Sequence, residues 1–97
     1  MNVLYVFTAR ECDACTEAKP IVEEFKRKNL FKVMVVIVDA THRVIALADI
    51  DPQATPTFAL VDDRHEVLKK HVGVLSLDQL QDFVFGNFGV KRKKEKV

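Results

Sequence analysis

Apolar runs and helical periodicities succeed one another along the chain in an order that predicts mixed α/β structure. Asn2 to Thr8 is dominated by Val, Leu, Tyr and Phe without regular polar alternation, which predicts a central strand buried on both faces of a sheet. Ala9, Arg10 and Glu11 follow as a short loop. From Cys12 onward, Cys15, Ala18, Val22 and Phe25 recur at spacings of three and four, the buried stripe of a helix running to about Asn29. Glu23 with Arg27, and Glu24 with Lys28, form acid-before-base pairs on its outer face, each stabilising by about 0.2–0.5 kcal/mol. Pro20 lies inside this helix, where it removes a donor and kinks the axis unless the local hydrogen bonding adapts.

Val33 to Val38 is an unbroken apolar run rich in valine and predicts a second buried strand, parallel to the first across a right-handed crossover. Arg43 to Asp49 reads as a short helix with Val44, Leu47 and Ala48 inward, capped by Asp39 or Thr41 and broken by Asp51 and Pro52. Thr57 to Val61 and Glu66 to Val72, joined by the turn Asp62, Asp63, Arg64, form a hairpin. After Gly73, Ser76 and Gln79 have capping-box spacing ahead of Leu77, Leu80, Phe83 and Val84, so a last helix ends near Gly86. Phe88 and Val90 are further packing candidates.

The length of 97 residues, with 48% hydrophobic and 30% charged, allows one domain with a single modest core. Its net charge of +1 hides an asymmetry: Lys91 to Val97 carries five basic groups and one acid, which leaves about −3 on residues 1–90. The chain therefore divides into a domain over 1–90 and a basic tail over 91–97. Val3 to Phe7 is too short to span a bilayer or form a signal core, and a cytoplasmic location is expected.

Two cysteines, Cys12 and Cys15, cannot build a framework of several disulfides, whereas a pair two residues apart beside a βαβ pattern is a redox signature. Thiol-disulfide exchange needs one thiol that attacks as thiolate and a second that resolves the mixed disulfide. At the first turn of a helix, exposed N–H groups and the helix dipole favour a thiolate at Cys12, while Cys15 lies one turn deeper on the buried stripe. Cys12 is thus assigned attack and Cys15 resolution. Glu11, Asp13 and Glu17 oppose that thiolate and Arg10 favours it, so an excess of acid makes the centre more reducing; the same carboxylates also complement the helix dipole. A half zinc site or two incidental thiols are the competing readings of the pair. Zinc normally takes four ligands, and His42, His65 and His71 do not form a tight motif with the cysteines.

Three segments occur together: Cys12-Asp13-Ala14-Cys15 after the first strand, Ala54-Thr55-Pro56-Thr57-Phe58 entering the hairpin, and His71-Val72-Gly73-Val74-Leu75-Ser76 before the last helix. With Pro20 in the first helix, this order and spacing over about residues 2 to 88 resembles the thioredoxin superfamily. The resemblance implies a βαβαββα fold, a four-stranded mixed sheet flanked by three helices. It also implies a cis bond between Thr55 and Pro56 beside the cysteines, with the Thr55 backbone pairing to an extended substrate. Glu11 stands where thioredoxins usually carry Trp, and Asp13-Ala14 where they carry Gly-Pro. Val6 and Val35 replace their buried aspartate and its lysine neighbour. The family's extra N-terminal strand and helix are missing, which makes this a glutaredoxin-sized, minimal thioredoxin-like chain.

The expected activity is reduction of protein or small-molecule disulfides by a monomer, with no cofactor beyond the Cys12–Cys15 disulfide and with a flavoprotein reductase or glutathione as electron donor. Partners in membranes or nucleic acid are not expected. The aromatic residues fall in core elements, and Lys91 to Lys96 reads as a solvated tail. A non-catalytic docking module with a basic tail, or a metal or iron-sulfur carrier, remain alternative readings, since one fold hosts many functions.

Overall fold

The structure, a computed structural model, describes residues 1–39 and 55–86. The elements in chain order are β1 (Val3–Thr8), α1 (Asp13–Lys28), β2 (Met34–Asp39), β3 (Thr57–Val61), β4 (Val67–Val72) and α2 (Leu77–Phe85). The strands form one mixed sheet in the order β2-β1-β3-β4. β1 runs parallel to β2 and antiparallel to β3, and β4 returns antiparallel to β3. Two helices flank the sheet among the described residues; the helix expected over Arg43 to Asp49 lies outside them, as do Phe88, Val90 and the basic tail.

Alternation along β1 divides the core. Leu4 and Val6 point to one face, where they pack with Val35, Phe58 and Leu60 against Val22 and Phe25 of α1 and Leu80 and Phe83 of α2. Phe7 occupies the other face with Ala59 and Val61, and Tyr5, Val38 and Val67 border that cluster. The first face is built around aromatic rings, with Phe58 and Phe83 edge to face at 6.5 Å. β1 is therefore an interior strand with buried residues on both faces, as its composition predicts.

β2 departs from expectation. It starts one residue later than the apolar run and sits at the sheet edge, where Val35 is its only fully buried residue and Met34 is 53% exposed. A continuous apolar run is compatible with either position, because an edge strand also has two faces to cover and only its outer hydrogen-bonding side remains open. Of the two predicted pairs on α1, Glu24 and Lys28 meet at 3.4 Å.

Polar side chains join the elements where apolar packing ends. Asn29, 4% exposed, donates from Nδ2 to the Phe25 carbonyl and to Gln81 Oε1, both at 2.8 Å, tying the end of α1 to α2. Lys69 Nζ donates to the carbonyls of Phe83 and, at 3.1 Å, Gly86, so a cation on β4 closes the carboxyl end of α2. Burial pushes the Lys69 ammonium below its ordinary range, against the opposing field of Asp82. Ser76 and Gln79 form the expected capping box at the other end of α2.

In the β3–β4 turn, Asp62 Oδ1 accepts the N–H groups of Arg64 at 2.8 Å and Glu66 at 2.9 Å. The Glu66 N–H chiefly, and that of Arg64 after it, hold the Asp62 carboxyl below its ordinary value. His65 completes the turn with φ of 66°, a left-handed backbone that a side chain rarely adopts.

Two outcomes are expected. Asn29→Ala removes the α1–α2 tie and strands a buried acceptor, lowering stability by about 1–3 kcal/mol in urea unfolding. A carboxyl whose folded pKa lies below its unfolded one stabilises the fold above the unfolded value and loses that contribution as pH falls through the folded value. Stability of the wild type below about pH 4 should therefore fall more steeply than that of Asp62→Asn, as followed by denaturant midpoints across pH.

Candidate redox site

The cysteine pair sits where β1 ends and α1 begins. Glu11 takes a left-handed backbone with φ of 51°, and Cys12 follows with φ −123° and ψ 104° as the N-cap of α1. The helix thus begins one residue later than its apolar stripe suggests, since Cys12 is its cap and not part of its first turn. The sulfur takes the place a Ser or Asp oxygen usually fills: Cys12 Sγ accepts the Cys15 N–H at 3.1 Å. The Cys12 carbonyl accepts the N–H groups of Cys15 and Thr16, both at 3.1 Å. Reduced to a thiolate, this sulfur would face the positive end of α1 and a backbone donor, the setting that favours the charged form.

Cys12 and Cys15 are joined by a disulfide with Cα atoms 5.2 Å apart. Their surroundings differ. Cys12 is partly exposed, whereas Cys15 is 3% exposed, one turn into the helix on the stripe it shares with Ala18, Val22 and Phe25. A reagent arriving from solvent therefore meets the Cys12 sulfur first.

The register of the sheet brings the proline loop alongside. Phe7 near the end of β1 pairs with Thr57 at the start of β3, so the residues preceding β3 lie next to those following β1. The Thr55–Pro56 peptide bond is cis. Thr55 Oγ1 donates to Cys12 Sγ at 3.4 Å, and the Thr55 carbonyl oxygen lies 3.6 Å from the same sulfur. The hydroxyl contact is additional to the backbone role that the resemblance implies for Thr55, and its only sequence signal is a polar side chain just before the proline. Pro56 is buried, and its carbonyl accepts the Gly73 N–H at 2.9 Å. Gly73 has φ of +113°, a conformation open to glycine and strained for other residues.

The charged neighbours are spread around this contact. Glu11 and Asp13 are exposed, Asp13 in the first turn of α1. Arg10, also exposed, lines a cavity of about 290 Å³ at the carboxyl ends of β1 and β2 with Thr8, Lys19 and Asp39. Val6 and Val35 are 1% and 7% exposed, and the buried polar residues among those described are Asn29 and Thr57, so no carboxylate lies in the described core. No group of three or more His, Cys, Asp or Glu able to hold a metal occurs among the described residues. His65 is exposed in its turn, His71 packs beside the rings of Phe58 and Phe83 at 6.5 and 6.2 Å, and His42 is outside the described residues. No helix among the described residues is long and apolar enough to cross a membrane.

Solved structures of similar fold include two thioredoxins and a malarial protein. Thioredoxin-2, a component of the malaria parasite protein secretion machinery, is 17% identical with a TM-score of 0.76, over 86% of this chain and 80% of that one. The germline-specific thioredoxin Deadhead of Drosophila melanogaster is 21% identical with a TM-score of 0.74, over 84% and 76% of the two chains. A malarial protein is 18% identical with a TM-score of 0.72, over 82% and 89%. No curated protein matches the sequence. The thioredoxin-like fold and a cysteine pair at disulfide distance support a redox role in general. Residues 2–85 match the family described as TraF, F plasmid transfer operon protein, and the chain belongs to this thioredoxin-like family.

Proposed function

We propose that the chain is a thiol-disulfide oxidoreductase that reduces protein or small-molecule disulfides, with Cys12 as the attacking and Cys15 as the resolving thiol. One observation carries this reading: the partly exposed sulfur at the N-cap of α1 touches Thr55 of the proline loop and is bonded to a buried sulfur one turn deeper. In the reduced protein, the Cys12 thiolate attacks one sulfur of a substrate disulfide. A bond forms between Cys12 and that sulfur, the substrate S–S bond breaks, and the departing thiolate takes a proton from water. Cys15, as thiolate, then attacks Cys12 Sγ, closes the Cys12–Cys15 bond and expels the second substrate thiolate. The protein has given up two electrons, which a flavoprotein reductase or glutathione restores in the expected reducing compartment.

The backbone and hydroxyl of Thr55 hold the substrate chain against Cys12, and buried Pro56 fixes the position of that loop. Glu11 and Asp13 set negative charge near the N-cap, opposing the thiolate that the helix end and Arg10 favour. Their balance makes this centre more reducing than one without the acids. No cofactor beyond the cysteine pair enters the cycle, and the chain works as a monomer.

Insulin reduction by a dithiol-regenerated enzyme tests the reading: wild type should turn over and the double variant Cys12→Ser, Cys15→Ser should fall to the uncatalysed rate. Equal rates would point to a docking module. Cys15→Ser alone should accumulate mixed disulfides through Cys12 on non-reducing gels, while Cys12→Ser captures little, because its remaining thiol is buried; equal trapping would overturn the division of roles. Gly73→Ala forces a side chain into a strained backbone next to the N–H that holds Pro56, and should cost about 1–3 kcal/mol in unfolding together with a loss of turnover.

A further inference from the structure

The Cys12 sulfur is bordered by acid on one side and by uncharged groups on the other. Glu11 and Asp13 flank it along the chain, each with its Cα about 3.8 Å from that of Cys12, and both side chains are exposed. Glu17, also exposed, stands one turn behind Asp13 on the same face of α1. Among the described residues, none of these three carboxylates takes part in an ion pair or accepts a hydrogen bond. Arg10 and Lys19, the nearest cations in sequence, line the cavity at the carboxyl ends of β1 and β2 together with Asp39, and neither cysteine lines it. Across the sulfur, Thr55 touches it, Gly73 holds Pro56, and Val72, paired with Thr57, is 54% exposed. Thr55 to Thr57 and Val72 to Ser76 hold no charged residue.

We infer that this centre prefers disulfides whose cysteines lie in basic peptide segments, and that Glu11 and Asp13 set the preference. The inference rests on the redox reading above and narrows it to a substrate class. The exchange is the same two-electron one, and the charge around the substrate disulfide decides how readily it begins. A lysine or arginine beside the substrate cysteine meets Glu11 or Asp13 as its sulfur reaches Cys12, whereas a glutamate there meets like charge. The positive end of α1 opposes this selection with the equivalent of about half a charge, and Arg10 shares its cavity with Asp39, so two adjacent carboxylates outweigh them. A peptide is the matching form of substrate, because the Thr55 carbonyl lies 3.6 Å from the same sulfur and sets backbone beside the point of attack.

Range supports the assignment. Covalent adjacency keeps both carboxylates within about 10 Å of the Cys12 sulfur, which is roughly the screening length in 0.1 M salt. Added salt therefore weakens the preference in a graded way, while a preference built on shape would not respond to it.

The probes are three peptides of one length, each closed by a single disulfide, with lysine, serine or glutamate on both sides of each cysteine. Their rates with the reduced full chain are divided by their rates with dithiothreitol, which removes the peptides' own differences in reactivity. The lysine peptide should then lead the glutamate peptide by about tenfold at low salt, with serine between them, and the spread should narrow as salt rises. The double variant Glu11→Gln, Asp13→Asn changes only exposed side chains and should bring that ratio to within about twofold of unity. Glu11→Lys should lower it further than Glu11→Gln does. Because one thiol meets all three peptides, any change in the acidity of Cys12 drops out of the ratio. Turnover of the serine peptide reports the redox reading by itself: its loss sinks both readings, and its presence with unranked rates sinks this one alone. A glutamate preference, a ranking indifferent to salt, or one that the double variant retains would equally overturn the inference.

Discussion

The site depends first on the double pairing of β1. One edge of this strand holds β2 in parallel and the other holds β3 antiparallel, and the second pairing sets Phe7 against Thr57. The chain leaving β1 toward Cys12 and the chain arriving at β3 through Thr55 and Pro56 consequently occupy the same end of the sheet. Moving the pairing by one residue would reverse the faces of Phe58 and Leu60, exchanging core for surface. The burial of Leu4, Val6, Phe58 and Leu60 on one face therefore also holds Thr55 within reach of the Cys12 sulfur. Packing and site geometry are enforced by the same side chains.

Around that pairing, polar contacts do what apolar contacts cannot. The core packs α1 and α2 on one face, but their ends need partners for backbone groups. Asn29 supplies one at the end of α1, Lys69 another at the end of α2, and Cys12 itself a third at the start of α1. The last of these makes the Cys12 sulfur part of the scaffold. An atom that caps a helix is held in place by the helix it caps, so the nucleophile proposed here is positioned before any substrate arrives.

Much of this was legible in the sequence because the signals were local. The stripe from Cys15 to Phe25 marked the buried face of α1, Thr57 to Val61 bounded a strand by its own composition, and Ser76 with Gln79 announced the start of α2. The pairing of Cys12 with Cys15 was equally plain from spacing, and the place of the proline loop beside them came from resemblance. Features that depend on distant residues were not legible. Nothing in the run from Val33 to Val38 tells an edge strand from a central one, because that depends on which strand lies alongside. Asn29 reads as a helix terminus until Gln81 is seen opposite it, and Lys69 reads as a solvated strand residue until α2 is packed over it. That Cys12 caps the helix instead of opening its first turn follows from the backbone of Glu11 and Cys12, which composition does not encode.

The valines at 6 and 35 bear on how the pair would exchange protons. With aliphatic side chains beneath α1, opening the disulfide would generate thiols above a layer whose described residues can neither donate nor accept hydrogen ions. Protonation of the deeper sulfur would then require water reaching it from the mouth of the site, past its partner. In the proposed cycle the solvent would then serve as the acid reservoir, and the only charge to arise in the described interior would be the transient thiolate of Cys15.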